Sequence, residues 1–175
     1  TDFAVTSLSR LRGANIRVGS TVLTPLPDEF GAEPVFMPIT EVYGAFRRGA
    51  LDGVVTVPAA LFGGYRIAEV ARYNLDEPLG QFSVALLMNK DRYAGLPADA
   101  KSALAEHTGE ALVRAWAMEV DTQDAASRDR LNKLGHVVTK LSAAEGQRWN
   151  LTIKNQIQQW IDVDPRRRLA YDAAK

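Results

Sequence analysis

Between Ile16 and Pro58, three short apolar runs (Ile16–Val18, Val35–Met37 and Val54–Val57) alternate with two helix-like segments. Strands that alternate with helices build βαβ units and a mostly parallel sheet. In such a sheet, ligands sit just beyond the carboxyl ends of the strands. Arg17 and Ser20 fall at the end of the first run, Pro38–Thr40 at the end of the second, and Thr56–Pro58 at the end of the third. If the stretch is a ligand platform, these residues line it.

The chain has 175 residues, enough for one domain or two small lobes with a buried core. Its formal net charge is zero, so no global field gathers nucleic acid or an anionic membrane. With no cysteine there is no disulfide, thiolate nucleophile or zinc–thiolate site. No apolar run is long enough to span a bilayer, and no signal peptide stands at Thr1.

Along the chain, Gly13 predicts a turn, and Pro25 and Pro27 predict a short or distorted helix over Thr21–Phe30, closed by Gly31. Thr40 is expected to cap the next helix, with Glu41 near its positive end. Val42, Ala45 and Phe46 share a face that should pack on the sheet, and Gly49 stops that helix. Pro58 opens a short helix through Phe62, Gly63–Gly64 is a joint, and Val70–Tyr73 and Phe82–Met88 read as strands.

Lys90–Leu96 is a loop or short helix, and Pro97 suits a first helical position. From there to Leu134 only Gly109 interrupts a helical composition, with Leu104, Ala111, Ala115 and Met118 on one stripe and Leu112, Trp116 and Val120 beside it. A helix of about 30 residues would span roughly 45 Å, more than one small lobe. That predicts a break near Val120–Asp124 or a helix bridging two lobes. His136–Leu141 reads as a strand, and Ser142 with Glu145 as a capping box. The next helix reaches about Ile161, with Trp149, Ile153, Ile157 and Trp160 on one face, and Pro165 ends it. Arg166–Lys175 is a polar tail, at most one more helical turn.

Arg17 is the strongest site candidate. Its planar guanidinium matches a carboxylate with two parallel hydrogen bonds; the plainer alternative is an exposed arginine at a strand end. Ser20 either donates to the same group or caps the following helix. Thr56 is the polar side chain of its loop, or simply part of a buried strand end. Tyr43 and Tyr65 are within reach of a cleft, Tyr43 more naturally as helix packing. The three tryptophans stand at helical spacing and are expected in the core. His107 and His136 lack metal-ligand spacing, and Arg166–Arg168 is a solvated run. There is no nucleophile elbow, Walker loop or dinucleotide fingerprint, and Asp52, Asp76 and Glu77 form no acid/base pair. The expectation is a non-enzyme with no cofactor, no metal and no nucleic-acid partner.

Several motifs in order carry a family resemblance. The chain reads Leu11-Arg12-Gly13-Ala14-Asn15-Ile16-Arg17. It then reads Gly31-Ala32-Glu33-Pro34-Val35-Phe36-Met37-Pro38, followed by Glu41-Val42-Tyr43 and Gly49-Ala50-Leu51-Asp52-Gly53. Leu86–Lys90 and Leu96–Asp99 continue the likeness, which fades over the last third. The pattern resembles the solute receptors of tripartite ATP-independent periplasmic (TRAP) transporters, the DctP family, from partway through to the end.

The resemblance implies a periplasmic-binding-protein-like α/β lobe with a mostly parallel sheet and long C-terminal helices. It implies a truncated secreted receptor of the periplasm, residues 1–81 being its second, ligand-binding lobe. Residues 82–122 would be a strand and long helix belonging to an absent first lobe, and 123–175 a return to the second lobe. A hinge strand is expected near Phe3 and Val5. Arg17 would grip the carboxylate of an organic acid for delivery to membrane permease subunits. Ile39 stands where many relatives carry an aromatic residue, and Thr56 and Pro58 replace a segment often reading Glu-Asn-Pro. Apolar faces on 82–122 would be exposed, which predicts self-association or a domain swap. Two alternatives stand beside this reading: an interaction module that dimerises through Leu96–Leu134, and a small-molecule sensor or enzyme of related fold.

Overall fold

The structure is a computed structural model in which residues 1–79 and 85–173 are described. Its first sheet has three strands, β1 (Asn15–Val18), β2 (Glu33–Phe36) and β3 (Gly53–Val54), in the order β2-β1-β3. Arg17 stands opposite Val35 on one side and Val54 on the other, and both pairings are parallel. The chain crosses from one side of β1 to the other between β2 and β3. A reversal of strand order of this kind opens a crevice at the carboxyl ends of the strands.

β4 (Tyr73–Leu75) and β5 (Val137–Thr139) form a second parallel pair. The first residues join the two sheets. The Thr1 nitrogen donates to the Tyr73 carbonyl at 2.7 Å, and the Tyr73 N–H donates back to Thr1 at 3.1 Å. The Asp2 N–H donates to the Asp52 carbonyl beside β3 at 3.0 Å. Reciprocal bonding between two residues is the antiparallel pattern. Thr1 and Asp2 therefore bridge β3 and β4 where a hinge strand was expected, although no regular strand forms; Leu8–Leu11 is a 3-10 turn.

Alternation along the strands separates two cores. Val5, Leu8, Leu11, Ile16, Leu26, Phe30 and Trp149 form the first. Val42, Ala45, Leu51, Leu61, Ile67 and Leu131 form the second, joined at its margin by Val35, Met37, Ile39 and Val54. The described residues form seven α-helices: α1 (Pro25–Glu29), α2 (Val42–Arg47), α3 (Lys90–Ala94), α4 (Ala98–His107), α5 (Glu110–Lys133), α6 (Ala143–Asp162) and α7 (Pro165–Ala173). α6 closes the first core: the Trp149 ring stacks on Phe30 at 5.5 Å and its Nε1–H donates to the Pro78 carbonyl at 2.8 Å. The far end of α5 closes the second core through Leu131, with Arg130 lying over the Phe62 ring at 4.4 Å.

Most expected elements are present, including the prolines' shortening of α1, the packing of Val42 and Ala45, and the extent of α6. Several details differ. Thr40 caps nothing: it lies inside a 3-10 turn, Ile39–Glu41, that leads into α2. The third strand is confined to Gly53–Val54, because the chain turns at Pro58 into a 3-10 turn, Pro58–Leu61. β4 begins at Tyr73 rather than Val70. Of Phe82–Met88, residues 82–84 lie outside the described residues, and 85–88 form no strand. Pro97 flanks α4 instead of opening it.

The long helical region breaks at Thr108–Gly109, where Gly109 takes a φ of +65°, and α5 runs unbroken through 120–124. Ser142 does cap α6 by accepting from the Glu145 N–H at 3.3 Å. The Glu145 carboxylate, however, accepts from the Leu8 N–H, so the reciprocal half of the capping box is missing. Pro165–Ala173 makes a full helix, longer than the single turn expected. Of the three tryptophans only Trp149 is in the core: Trp116 is 56% and Trp160 37% exposed, with Val113, Met118, Leu86 and Leu87 also exposed.

Candidate functional site

The site is built on β1. Ile16 and Val18 are β-branched and buried, as a central strand requires. Arg17 between them is also buried, at 7% exposure. Its register partners Val35 and Val54 belong to the second core, so its side chain leaves the sheet on that face. Nε donates to the Met37 carbonyl at 2.9 Å, just past β2. Nη1 donates to the Val55 carbonyl at 3.4 Å, just past β3. The guanidinium is thus held across the carboxyl ends of the strands flanking its own.

A guanidinium has five N–H donors, so three remain after these two bonds. Among the described residues no carboxylate pairs with Arg17. Burial pushes its pKa below the ordinary arginine value. Arginine nonetheless stays protonated in proteins. A buried cation held by neutral carbonyls is a costly arrangement that an anion would relieve.

The other expected residues surround the same strand ends. Ser20 follows β1, and its Oγ accepts from the Val22 N–H at 3.3 Å, which is the capping alternative; its hydroxyl hydrogen is not used by that bond. Ile39 is half-buried and leans on the second core. Thr56 and Pro58 follow β3, both half-buried, and α5 packs across the turn that Pro58 begins. Arg17 is the only charged residue in the segments 17–20, 37–40 and 55–58. Tyr43 instead lies under the Arg66 guanidinium at 4.8 Å.

Three features escaped sequence reasoning. The carbonyls of Met37 and Val55 are main-chain groups, which no residue type announces. Gly19 lies against the guanidinium, so close that a Cβ there would meet both terminal nitrogens at 3.2 Å.

The carboxylates without an expected partner are used structurally. Asp52 Oδ2 accepts from the Asn15 N–H at 2.7 Å, Asp76 pairs with Arg128, and Glu77 accepts from the Leu141 N–H at 2.8 Å. His136 faces Asn74 at 3.3 Å. No group of side chains suited to a metal ion occurs among the described residues, and none of their helices is long and apolar enough to cross a membrane. Two shallow concavities lie elsewhere, one between α6 and α7 at Ile161 and Leu169 and one near Phe3 and Arg10; neither touches Arg17.

Known proteins resemble this chain along most of its length. The profile of the bacterial extracellular solute-binding proteins, family 7, matches residues 2–162. A C4-dicarboxylate-binding periplasmic protein, DctP, of Rhodobacter capsulatus is 32% identical over 93 residues, 53% of this chain and 28% of the relative. A TRAP periplasmic solute-binding protein of Bordetella bronchiseptica, solved with bound mandelate, superposes with a TM-score of 0.81 at 25% identity, covering 94% of this chain and 52% of that one. Another from Pseudomonas aeruginosa, with bound L-malate, gives a TM-score of 0.80 at 21% identity, covering 90% and 55%. The chain therefore spans about half the length of these solved proteins and less of the curated relative.

Proposed function

The chain belongs to the bacterial extracellular solute-binding proteins of family 7, and on that premise we propose that it is the arginine-bearing part of a periplasmic receptor for an organic acid. The receptor would hand its ligand to the membrane permease subunits of a TRAP transporter and catalyse nothing. Residues 1–81 and 123–175 would make the second lobe. Residues 82–122 would pack on a first lobe contributed by further sequence. Closure of two such lobes by hinge bending would trap the ligand.

One observation carries this reading: a buried guanidinium at a strand-order reversal, tied to two main-chain carbonyls and, among the described residues, to no carboxylate. Arg17 grips the ligand's carboxylate. Ser20, Ile39, Thr56 and Pro58 shape the wall around it. Arg17 supplies the only charge in these segments, so the rest of the ligand meets apolar surface and hydroxyls on this side. Relatives with bound mandelate and L-malate support an acid of one or two carboxylates.

The test is calorimetry with mandelate, benzoate and L-malate, on the chain and on a longer protein that carries it. Arg17→Ala is expected to weaken binding by at least about 30-fold, the scale for truncating one partner of a buried charge pair, while the protein remains folded. Unchanged affinity in that variant overturns the assignment of Arg17, and turnover of any probe overturns the receptor reading.

A second reading is favoured by a different observation. Val113, Trp116 and Val120 turn an apolar stripe outward from α5, and Met118 is exposed on another side of it. A chain lacking whatever covers that face would self-associate, and an interaction module would do the same without binding any acid. Silence toward every probe in both proteins would select the module.

A further inference from the structure

A side-chain carbon on Gly19 would stand 3.2 Å from Nη1, 3.2 Å from Nη2 and 3.4 Å from Cζ of Arg17. Equal distances to both terminal nitrogens place that point on the plane bisecting the fork, and its nearness to Cζ sets it obliquely over one face of the guanidinium, close beside the place straight ahead of the fork. The carbon of a carboxylate bonded symmetrically to both nitrogens lies on the same plane. At 3.2 Å a methyl group is tighter than nine in ten real contacts of this kind, so one of the two must give way. The guanidinium has little freedom to do so. Its Nε is fixed to Met37 and its Nη1 to Val55, on strands either side of β1.

Gly19 is not needed for its backbone. It is exposed, and its φ is not in the left-handed region that favours glycine. What the glycine provides is room over the face of the fork, where a side chain would crowd a carboxylate bonded to both nitrogens.

We propose that Gly19 is a positioning and specificity-determining residue, and that the carboxylate of the ligand seats against its bare backbone. The inference rests on the reading of Arg17 as the carboxylate grip. It adds the point of approach: the acid meets Nη1 and Nη2 over residue 19, and any side chain there competes with it.

The test is calorimetry with mandelate, benzoate and L-malate on the longer protein that carries this chain, comparing Gly19→Ala, Gly19→Ser, Arg17→Ala, Arg17→Lys and the double variant Arg17→Lys/Gly19→Ala. Gly19→Ala and Gly19→Ser are each expected to weaken binding by about tenfold or more, the scale of one charge-assisted hydrogen bond, in a protein that still unfolds cooperatively. Lysine has no fork to crowd, so adding Gly19→Ala to Arg17→Lys is expected to cost less than about threefold. If Arg17→Ala abolishes binding but Gly19→Ala stays within about threefold of the parent, this inference falls alone. An undiminished Gly19→Ala effect on the lysine background also overturns it, since residue 19 would then act without the fork. Loss of cooperative unfolding that accompanies the loss of affinity overturns it in favour of a structural role. If Arg17→Ala leaves affinity intact, or the parent binds none of the three acids, the underlying reading falls first.

Discussion

Trp149 and Trp116 are the same residue on two long helices, yet one is 6% exposed and the other 56%. α6 is the more clearly amphipathic of the two, and it is also the one with a surface to lie on. α6 lies on α1, and Trp149 reaches Phe30 and the Pro78 carbonyl. α5 touches the strand-bearing part only through its last turns, where Ser127 and Leu131 are buried, while Val113, Trp116 and Met118 stay in solvent. Amphipathic spacing tells a helix which face to bury. It does not supply the surface to bury it against. One half of the molecule is packed within the chain, whereas no residue of 85–120 is buried among the described residues.

The sharpest attempt to break this contrast is a pair of truncations read by thermal or chemical unfolding. Trp149→Ala is expected to cost about 3–5 kcal/mol, the range for removing a buried tryptophan. Trp116→Ala should stay within about 0.5 kcal/mol, as substitutions away from packed features do. Equal costs would mean that the two regions are not different in kind.

A smaller effect concerns association. The chain is expected to self-associate in sedimentation velocity, and replacing Val113, Trp116 and Met118 together by polar residues should return it to monomer with its thermal midpoint unchanged. A parent chain that sediments as a monomer across the micromolar range would remove the need for a partner surface.

The smallest expected effect is a pH dependence confined to the packed half. Burial, and beyond it the charges of Arg72 and the amino terminus, hold the His136 pKa below its ordinary 6.5. The folded state thus resists a proton that the unfolded chain accepts, so the contribution is full above pH 6.5 and is lost as pH falls through the folded value. Melting between pH 7.5 and about 5.5 should show this decline, and His136→Asn, which keeps an acceptor toward Asn74, should flatten it. An unchanged slope in that variant would assign the decline to other groups.

The strand–helix alternation over Ile16–Pro58 was legible because short apolar runs and glycine or proline breaks are local signals. The long helical region was less legible, and either a break or a helix bridging two lobes was expected there. The expected break near Val120–Asp124 came from an argument about length, whereas Gly109 alone had the backbone freedom to turn the chain. Glu145 was assigned to its own helix cap, yet it bonds Leu8, 137 residues away in sequence, which no local pattern encodes.

At the site, the sequence pointed to Arg17 but not to how it is held. Its two fixed donors meet backbone carbonyls, which every residue possesses, and its neighbour Gly19 matters for an absent side chain. Ser20 read equally well as a ligand donor or a cap, and its bond to Val22 is the cap's.

The bridging of the two sheets by Thr1 and Asp2 has a mechanical consequence. These residues are a seam between the three-strand and the two-strand sheet. Trimming them would unzip β3 from β4 and leave a three-strand ribbon and a two-strand ribbon, each with a newly bare flank.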